Sequence, residues 1–241
     1  MTRAADRAAG EVALIEELGG EALLAPTIRI VEPSDGGAAL SAARSSLVSA
    51  TARRRPDWLL FTSANAVAAF LGDGDLTGAL EGIAVAAVGV RTAQALEGAG
   101  VGVDLVPERF VAESLLAAFP EPPAGGLVWF PRAEVAREVL PEGLARMGWQ
   151  VEVIPAYRTV AARPGEALRS EVRRADAVVF ASASAVTGFV DAYGTATPPV
   201  VAAIGPVTAE RARQLGIEVQ VQPEEHTLDA TIRALAEHLT R

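Results

Sequence analysis

WLLFTSANAVAAFL, residues 58 to 71, runs an apolar segment into Thr62-Ser63 and follows it at once with an alanine-rich helical pattern. The phrase returns at 177 to 190 as AVVFASASAVTGFV, where Phe61 answers to Phe180, Ser63 to Ser182 and Phe70 to Phe189. An apolar run that ends in a serine placed to cap the next helix reads as a strand–turn–helix unit. Two ungapped copies, 119 residues apart (58 against 177), predict two similar domains.

Two further blocks pair. VAAVGVRTAQALEGAGVGVDLVPE at 85 to 108 matches VAAIGPVTAERARQLGIEVQVQPE at 201 to 224, so Gly89 meets Gly205 and Thr92 meets Thr208. Arg3 to Val31 matches Arg132 to Val160, pairing Gly19 with Gly148, Pro26 with Pro155 and Arg29 with Arg158. The block order matters, because the partner of the N-terminal unit lies at 132 to 160. The chain therefore begins one domain, builds a second, and returns to finish the first. The expected divisions are a discontinuous domain of 1–31 and 161–241, an inserted domain of 37–154, and linkers at 32–36 and 155–160. Strands alternating with helices make both domains α/β with parallel sheets. The expectation is two similar domains, one inserted in the other, joined by a two-stranded linker with a cleft between them.

The details follow from turn residues and periodicity. Ala22 to Val31 reads as a strand interrupted by Pro26, and Leu40 to Arg53 as a helix. Gly126 to Phe130 reads as a strand, Pro131-Arg132 as a turn, and Ala133 to Met147 as a helix. Trp149 to Tyr157, Val101 to Val106 and Ile217 to Val221 read as strands. One element is out of balance. LVWF (127 to 130) precedes Arg132, whereas the N-terminal copy opens at Met1-Thr2-Arg3 without a counterpart strand. In a doubly wound sheet the first strand is usually interior, so a start further upstream is favoured.

Composition narrows the function. The net charge of −9 and pI near 4.9 leave no basic footprint for nucleic acid or an anionic membrane. No apolar run is long enough for a membrane helix, and no secretory signal opens the chain. A cytoplasmic monomer is expected. With no cysteine, thiolate catalysis and thiolate metal sites are excluded, and His226 and His238 stand too isolated to predict a metal centre. Neither a phosphate-binding loop, a dinucleotide fingerprint nor a nucleophile elbow is present. No cofactor is expected, and any catalysis would rest on positioning and hydrogen bonds.

In parallel α/β sheets ligands bind at the carboxyl edge, where helix starts offer N–H groups to anions. Ser63, Thr92, Ser182 and Thr208 fall at such positions, as helix caps, ligand contacts or both. Gly89 and Gly205 mark turns where the backbone can approach a ligand closely.

Taken in order, FTSANAV, VGVRTA, PR…L…MGWQVEVIPAYRT, FASASAV and IGPVTA resemble uroporphyrinogen-III synthase over nearly the whole chain. The resemblance implies a cofactor-independent lyase. Linear hydroxymethylbilane is cyclised with inversion of its last pyrrole ring, giving uroporphyrinogen III and water. Loss of the terminal hydroxyl gives an azafulvenium cation. Attack by the substituted carbon of the last ring gives a spiro intermediate, which fragments and recloses inverted. The resemblance also implies that Tyr157, in Ala156-Tyr157, assists departure of the hydroxyl, and that Ser63, Thr92, Ser182 and Thr208 bind substrate. Arg3 and Arg132, paired by the repeat, either meet substrate carboxylates or close helix-end salt bridges. The substrate carries eight carboxylates and the chain is at −9, so local donors must outweigh long-range repulsion. The rival reading is a non-catalytic two-domain protein that binds a small anion or regulates.

Overall fold

The computed structural model describes residue 2 and residues 8–49, 55–72 and 76–240. The chain divides into two compact units, Met1–Arg29 with Val160–Arg241 (unit 1) and Ile30–Thr159 (unit 2).

Unit 2 contains α2 (Ala38–Val48), β2 (Trp58–Phe61), α3 (Ala64–Leu71), a 3-10 turn (Thr77–Leu80), β3 (Ala84–Ala87), α4 (Val90–Gly98), α5 (Ala112–Ala118), β4 (Leu127–Ala133) and α6 (Val139–Arg146). β1 (Ile28–Val31) and β5 (Gln150–Ala161) carry the two crossings between the units and are neighbours in a five-stranded sheet ordered β1-β5-β4-β2-β3. β3 with β2, β2 with β4, and β4 with β5 all pair in parallel. The side-chain period of two sorts the apolar residues onto two faces. Leu59, Phe61, Leu127 and Trp129 pack with Phe70 and Leu96, while Leu60, Val128 and Phe130 pack with Leu115 and Leu144. Helices on both faces of a parallel sheet are the α/β arrangement expected of the alternating pattern.

Unit 1 contains α1 (Ala9–Glu17), α7 (Glu166–Arg174), β6 (Ala177–Phe180), α8 (Ala183–Tyr193), β7 (Val200–Ala203), α9 (Pro206–Gln214) and α10 (Leu228–Leu239). β6 pairs in parallel with β7, and Val221 adds an isolated bridge to Ala202, just as Leu105 bridges to Ala86 in unit 2. Val178 and Phe180 pack against Val186 and Phe189; Val179 and Ala202 face the other way, toward Leu235.

Several boundaries differ from the sequence reading, each for a local reason. β4 does not turn at Pro131-Arg132 but continues through both, pairing them with Ile154 and Pro155. The register there belongs to the ladder with β5, since β4 pairs with β2 only at Val128 and Trp129, and proline is tolerated beside a bulge. Because the strand runs on, α6 starts at Val139 rather than Ala133. Of the strand expected from Ala22 to Val31, only Ile28–Val31 is regular. The segments 101–106 and 217–221 contribute single bridges rather than strands. α2 starts at Ala38 and ends at Val48, with Ser49 in extended backbone, short of the expected Arg53; residues 50–54 lie outside the described residues.

Tyr193 ends α8, is buried at 7% exposure, and donates its hydroxyl to the Pro26 carbonyl at 3.2 Å. Burial raises its pKa above the ordinary value of 10.0, partly offset by the charge of Arg169. A raised folded pKa means the stabilisation is whole below pH 10 and is lost as pH climbs through the folded value. Alkaline titration of unfolding should show this loss above pH about 10, and Tyr193→Phe should remove it. Parallel alkaline curves for the two proteins would refute the assignment.

Candidate functional site

The site begins with a bulge. Arg132 pairs with Pro155, but Ala133 pairs with Tyr157, so Ala156 is an extra residue in β5. In an unbroken strand Tyr157 would face away from Ala156; a bulge re-aims the side chain beyond it. Ile154, Ala156 and Tyr157 accordingly all join the cluster that contains Phe61 and Phe70. The amide of Glu134 fixes the new register by donating to the Tyr157 carbonyl at 2.8 Å.

The ring of Tyr157 is buried at 9% exposure, and its hydroxyl lies 3.0 Å from Ser63 Oγ. Ser63 is the N-cap of α3, in extended backbone, and its Oγ accepts from the Ala66 amide at 3.1 Å. An oxygen that already accepts from an amide retains its own proton to donate. The chain Ala66 N–H, Ser63 O–H, Tyr157 O–H therefore runs from the positive end of a helix to a phenol. Ser63 and Tyr157 were each singled out from sequence. Their contact, across 94 residues, carries no sequence signal because it depends on the bulge.

In unit 1 Ser182 repeats the cap. Its Oγ accepts from the Ala185 amide at 3.2 Å and lies 3.0 Å from Ser184 Oγ. The repeat position of Tyr157 is here Ile28, so the hydroxyl pair belongs to unit 2 alone.

Thr92 and Thr208 are not caps. The N-cap positions of α4 and α9 are Gly89 and Gly205, neither with a side-chain cap bond, and both threonines are buried one turn inside, at 5% and 4% exposure. In each Gly-X-X-Thr segment the threonine lies three residues after the glycine that takes the cap. Neither glycine has positive φ: Gly89 is at −143° and Gly205 at −178°. A Cβ at Gly89 would touch only Phe110, at 3.8 Å, so nothing within the fold demands glycine there; at Gly205 it would approach the His226 ring at 3.1 Å. The first-turn amides Val90 and Arg91 of α4, and Val207 and Thr208 of α9, thus open at sites with no serine in front of them.

Arg132 is 5% exposed and is committed inside the protein. It donates to the Arg137 carbonyl at 2.9 Å, forms a salt bridge with Glu138 at the N-cap of α6, and lies over the Phe130 ring at 5.5 Å. Its Nε is buried without a partner. The salt bridge is the helix-end alternative. Arg3 lies outside the described residues.

Sequence reasoning missed a polar clasp beside Tyr157. Ser34 donates its amide to Glu134 at 3.0 Å and its hydroxyl to the same carboxylate, while Arg158 Nε donates to the Glu32 carbonyl at 3.0 Å. The Ser34 hydroxyl, then its amide, hold the Glu134 carboxyl below its ordinary pKa, and the Ala39 and Gly37 amides do the same for Asp35 at the start of α2. The Ser34-Asp-Gly-Gly composition signals a turn but not its long-range acceptor. A cavity of about 610 Å³ in unit 2, bordered by Thr77, Ile83 and Gly102, opens at the amino end of β3, the opposite end from Ser63 and Gly89. No helix among the described residues is long and apolar enough to cross a membrane.

The sequence pattern of the family described as "Uroporphyrinogen-III synthase HemD" matches residues 11–233. A putative uroporphyrinogen-III synthase of Methanothermobacter thermautotrophicus is 35% identical, over 98% of this chain and 96% of its own. The uroporphyrinogen-III synthase of Synechococcus elongatus is 32% identical, over 97% of this chain and 92% of its own. Among solved structures, a mutant uroporphyrinogen III synthase from the extremely thermophilic bacterium Thermus thermophilus matches with a TM-score of 0.55 and 22% identity, over 98% of this chain and 96% of that one. The Helicobacter pylori uroporphyrinogen-III synthetase matches at a TM-score of 0.52 and 19% identity, over 76% of this chain and 83% of that one. At these identities the two structures support the α/β fold, and the sequence matches carry the classification. The chain belongs to the uroporphyrinogen-III synthase family.

Proposed function

We propose that this protein cyclises hydroxymethylbilane with inversion of the terminal pyrrole, releasing uroporphyrinogen III and water, with Tyr157 as the proton donor. The observation that carries the reading is the 3.0 Å contact between Ser63 Oγ and the Tyr157 hydroxyl at the start of α3. The pyrrole nitrogen lone pairs expel the terminal hydroxyl, which must leave as water and so needs a proton. A phenol is protonated at neutral pH and can supply it. The phenolate that remains accepts the Ser63 proton in a hydrogen bond, backed by the Ala66 amide and the positive end of α3. Ser63 is in this scheme a positioning residue, because it acts through Tyr157.

After ionisation the same substrate can close in two ways, and the uninverted closure needs no enzyme. Selectivity therefore comes from holding the chain folded so that the substituted carbon of the last ring attacks first. We assign that task to the carboxyl edges of both units. Gly89 with the first-turn amides of α4, and Ser182 and Gly205 with those of α9, meet substrate carboxylates. Backbone donors suit a chain of net charge −9, because N–H groups attract anions locally without a basic surface. Thr92, Thr208 and Arg132 support these edges from inside. The reading also takes the protein to be a cytoplasmic monomer that acts without nucleic acid.

Freshly prepared hydroxymethylbilane should be converted to the inverted isomer when incubated with the protein, with the isomers resolved by chromatography. Only the uninverted isomer, formed at the spontaneous rate, would overturn the assignment in favour of an anion-binding role.

A further inference from the structure

An exposed aromatic ring stands at the carboxyl edge of unit 2, beside the helix start that carries no serine. After Leu105 bridges to Ala86, the chain closes a three-residue turn just before α5, in which the Val111 amide donates to the Arg109 carbonyl at 2.7 Å. Phe110 is the central residue of that turn. Its Cβ lies 3.8 Å from the position a Cβ at Gly89 would take. Unit 1 repeats the turn with another ring. The Thr227 amide donates to the Glu225 carbonyl at 2.8 Å, and the central residue, His226, packs on Gly205. Phe110 and His226 are as far apart (110 against 226) as Gly89 and Gly205 (89 against 205). The repeat thus keeps a ring beside the glycine that opens each helix.

The fold makes little use of the Phe110 ring. An apolar residue just before an N-cap ordinarily packs on the first turn of its own helix, where water is excluded. Phe110 is instead 56% exposed. Val111 beside it, Val90 beside Gly89, and Val106 are exposed as well. Single apolar residues on a surface are ordinary, but a group of them gathered beside polar donors marks a binding surface. The donors are close by. β2 and β3 pair Phe61 with Ala87, so Ser63 and Gly89 follow the two strand ends side by side. Ser63 there meets the Tyr157 hydroxyl, and the Val90 and Arg91 amides open the first turn of α4.

We propose, resting on the cyclisation reading above, that Phe110 is a substrate-binding residue whose ring stacks on a pyrrole of hydroxymethylbilane. The chemistry of the occupant follows from its neighbours. A group that meets N–H donors and an aromatic ring together must carry an anion on the rim of a flat apolar frame. A pyrrole with its acidic side chains is such a group, and the α4 amides take the carboxylate while Phe110 takes the ring. Gly89 follows β3, at the end of the strand order, whereas Tyr157 stands on β5. The stacked pyrrole is therefore one other than the ring that loses its hydroxyl. Its contact is the same before and during ionisation, so Phe110 contributes to binding and not to turnover.

The test is steady-state kinetics on freshly prepared hydroxymethylbilane, with the isomers resolved, for the wild type, Phe110→Ala and Phe110→Tyr. Phe110→Ala is expected to raise KM by about three- to tenfold, the scale of one aromatic pair, while kcat and the thermal midpoint hold. Phe110→Tyr keeps a ring and should bring KM back toward the wild-type value. If the wild type forms the inverted isomer and Phe110→Ala leaves KM unchanged, the stacking role is overturned and the cyclisation reading stands. A loss in Phe110→Ala that appears in kcat or the thermal midpoint instead of KM also overturns it, because the ring would then serve the fold. So does a Phe110→Tyr protein as impaired as Phe110→Ala. A wild type that yields only the uninverted isomer removes both readings.

Discussion

Tyr157→Phe should lower kcat by roughly a hundredfold or more, the range for loss of a positioned general acid. The substitution removes one oxygen and leaves the ring, which packs with Phe61 and Phe70, in place. Ser63 keeps its cap bond from Ala66, so the helix start survives. Stability should fall by only about 0.5–1.5 kcal/mol, the net worth of an ordinary hydrogen bond. The product mixture gives a second readout. As the enzymatic path slows, spontaneous closure takes a larger share of the substrate, and the uninverted isomer should rise in proportion. Ser63→Ala should fall between wild type and Tyr157→Phe in kcat with little change in KM, because it weakens the phenol's support without removing the donor. A Tyr157→Phe protein with unchanged turnover would return the residue to the core of unit 2.

The largest expected loss of stability is at Phe180. Its side chain is fully buried and meets Phe189 edge to face at 5.3 Å, and Phe189 in turn stacks on Tyr193 at 5.0 Å. This aromatic column holds β6 to α8 in a unit whose regular sheet has two strands among the described residues. Phe180→Ala should cost about 3–5 kcal/mol, combining lost transfer energy with the cavity left behind. That is a large share of the roughly 5–15 kcal/mol typical of a domain. Trp58, Trp129 and Trp149 all belong to unit 2, so tryptophan fluorescence reports that unit while far-UV circular dichroism reports both. In urea the dichroism transition should move further than the fluorescence transition. A cost below about 1 kcal/mol would mean that unit 1 does not depend on the aromatic column.

The duplicated architecture was legible in the sequence because each repeat block carries its own punctuation. Ser63 and Ser182 cap helices where the apolar runs stop, and Gly89 and Gly205 open the next ones. What was not legible lies where a long-range contact overrides a local signal. Pro131-Arg132 reads as a turn, yet the ladder with β5 holds both residues extended. Ala22 to Thr27 has the apolar character of a strand, but among the described residues regular structure begins only at Ile28. The buried placement of Thr92 and Thr208 depends on which residue of the Gly-X-X-Thr segment takes the cap, and glycine in extended backbone took it. The bulge at Ala156 is the least readable feature, since one extra residue in a strand leaves no mark on composition or period. It is also what brings the Tyr157 hydroxyl to Ser63.

The discontinuity of unit 1 has a consequence for synthesis. α1, which precedes unit 2 in the sequence, packs against α10, which follows it. That contact joins residues made before unit 2 to residues made after it, so all of Ile30–Thr159 can be completed in between. Such distant contacts carry the highest closure cost and form late. The apolar face of α1, with Leu14 and Ile15, must therefore wait through the translation of an entire neighbouring unit before its partner exists. Throughout that interval this face has no partner within its own unit to cover it.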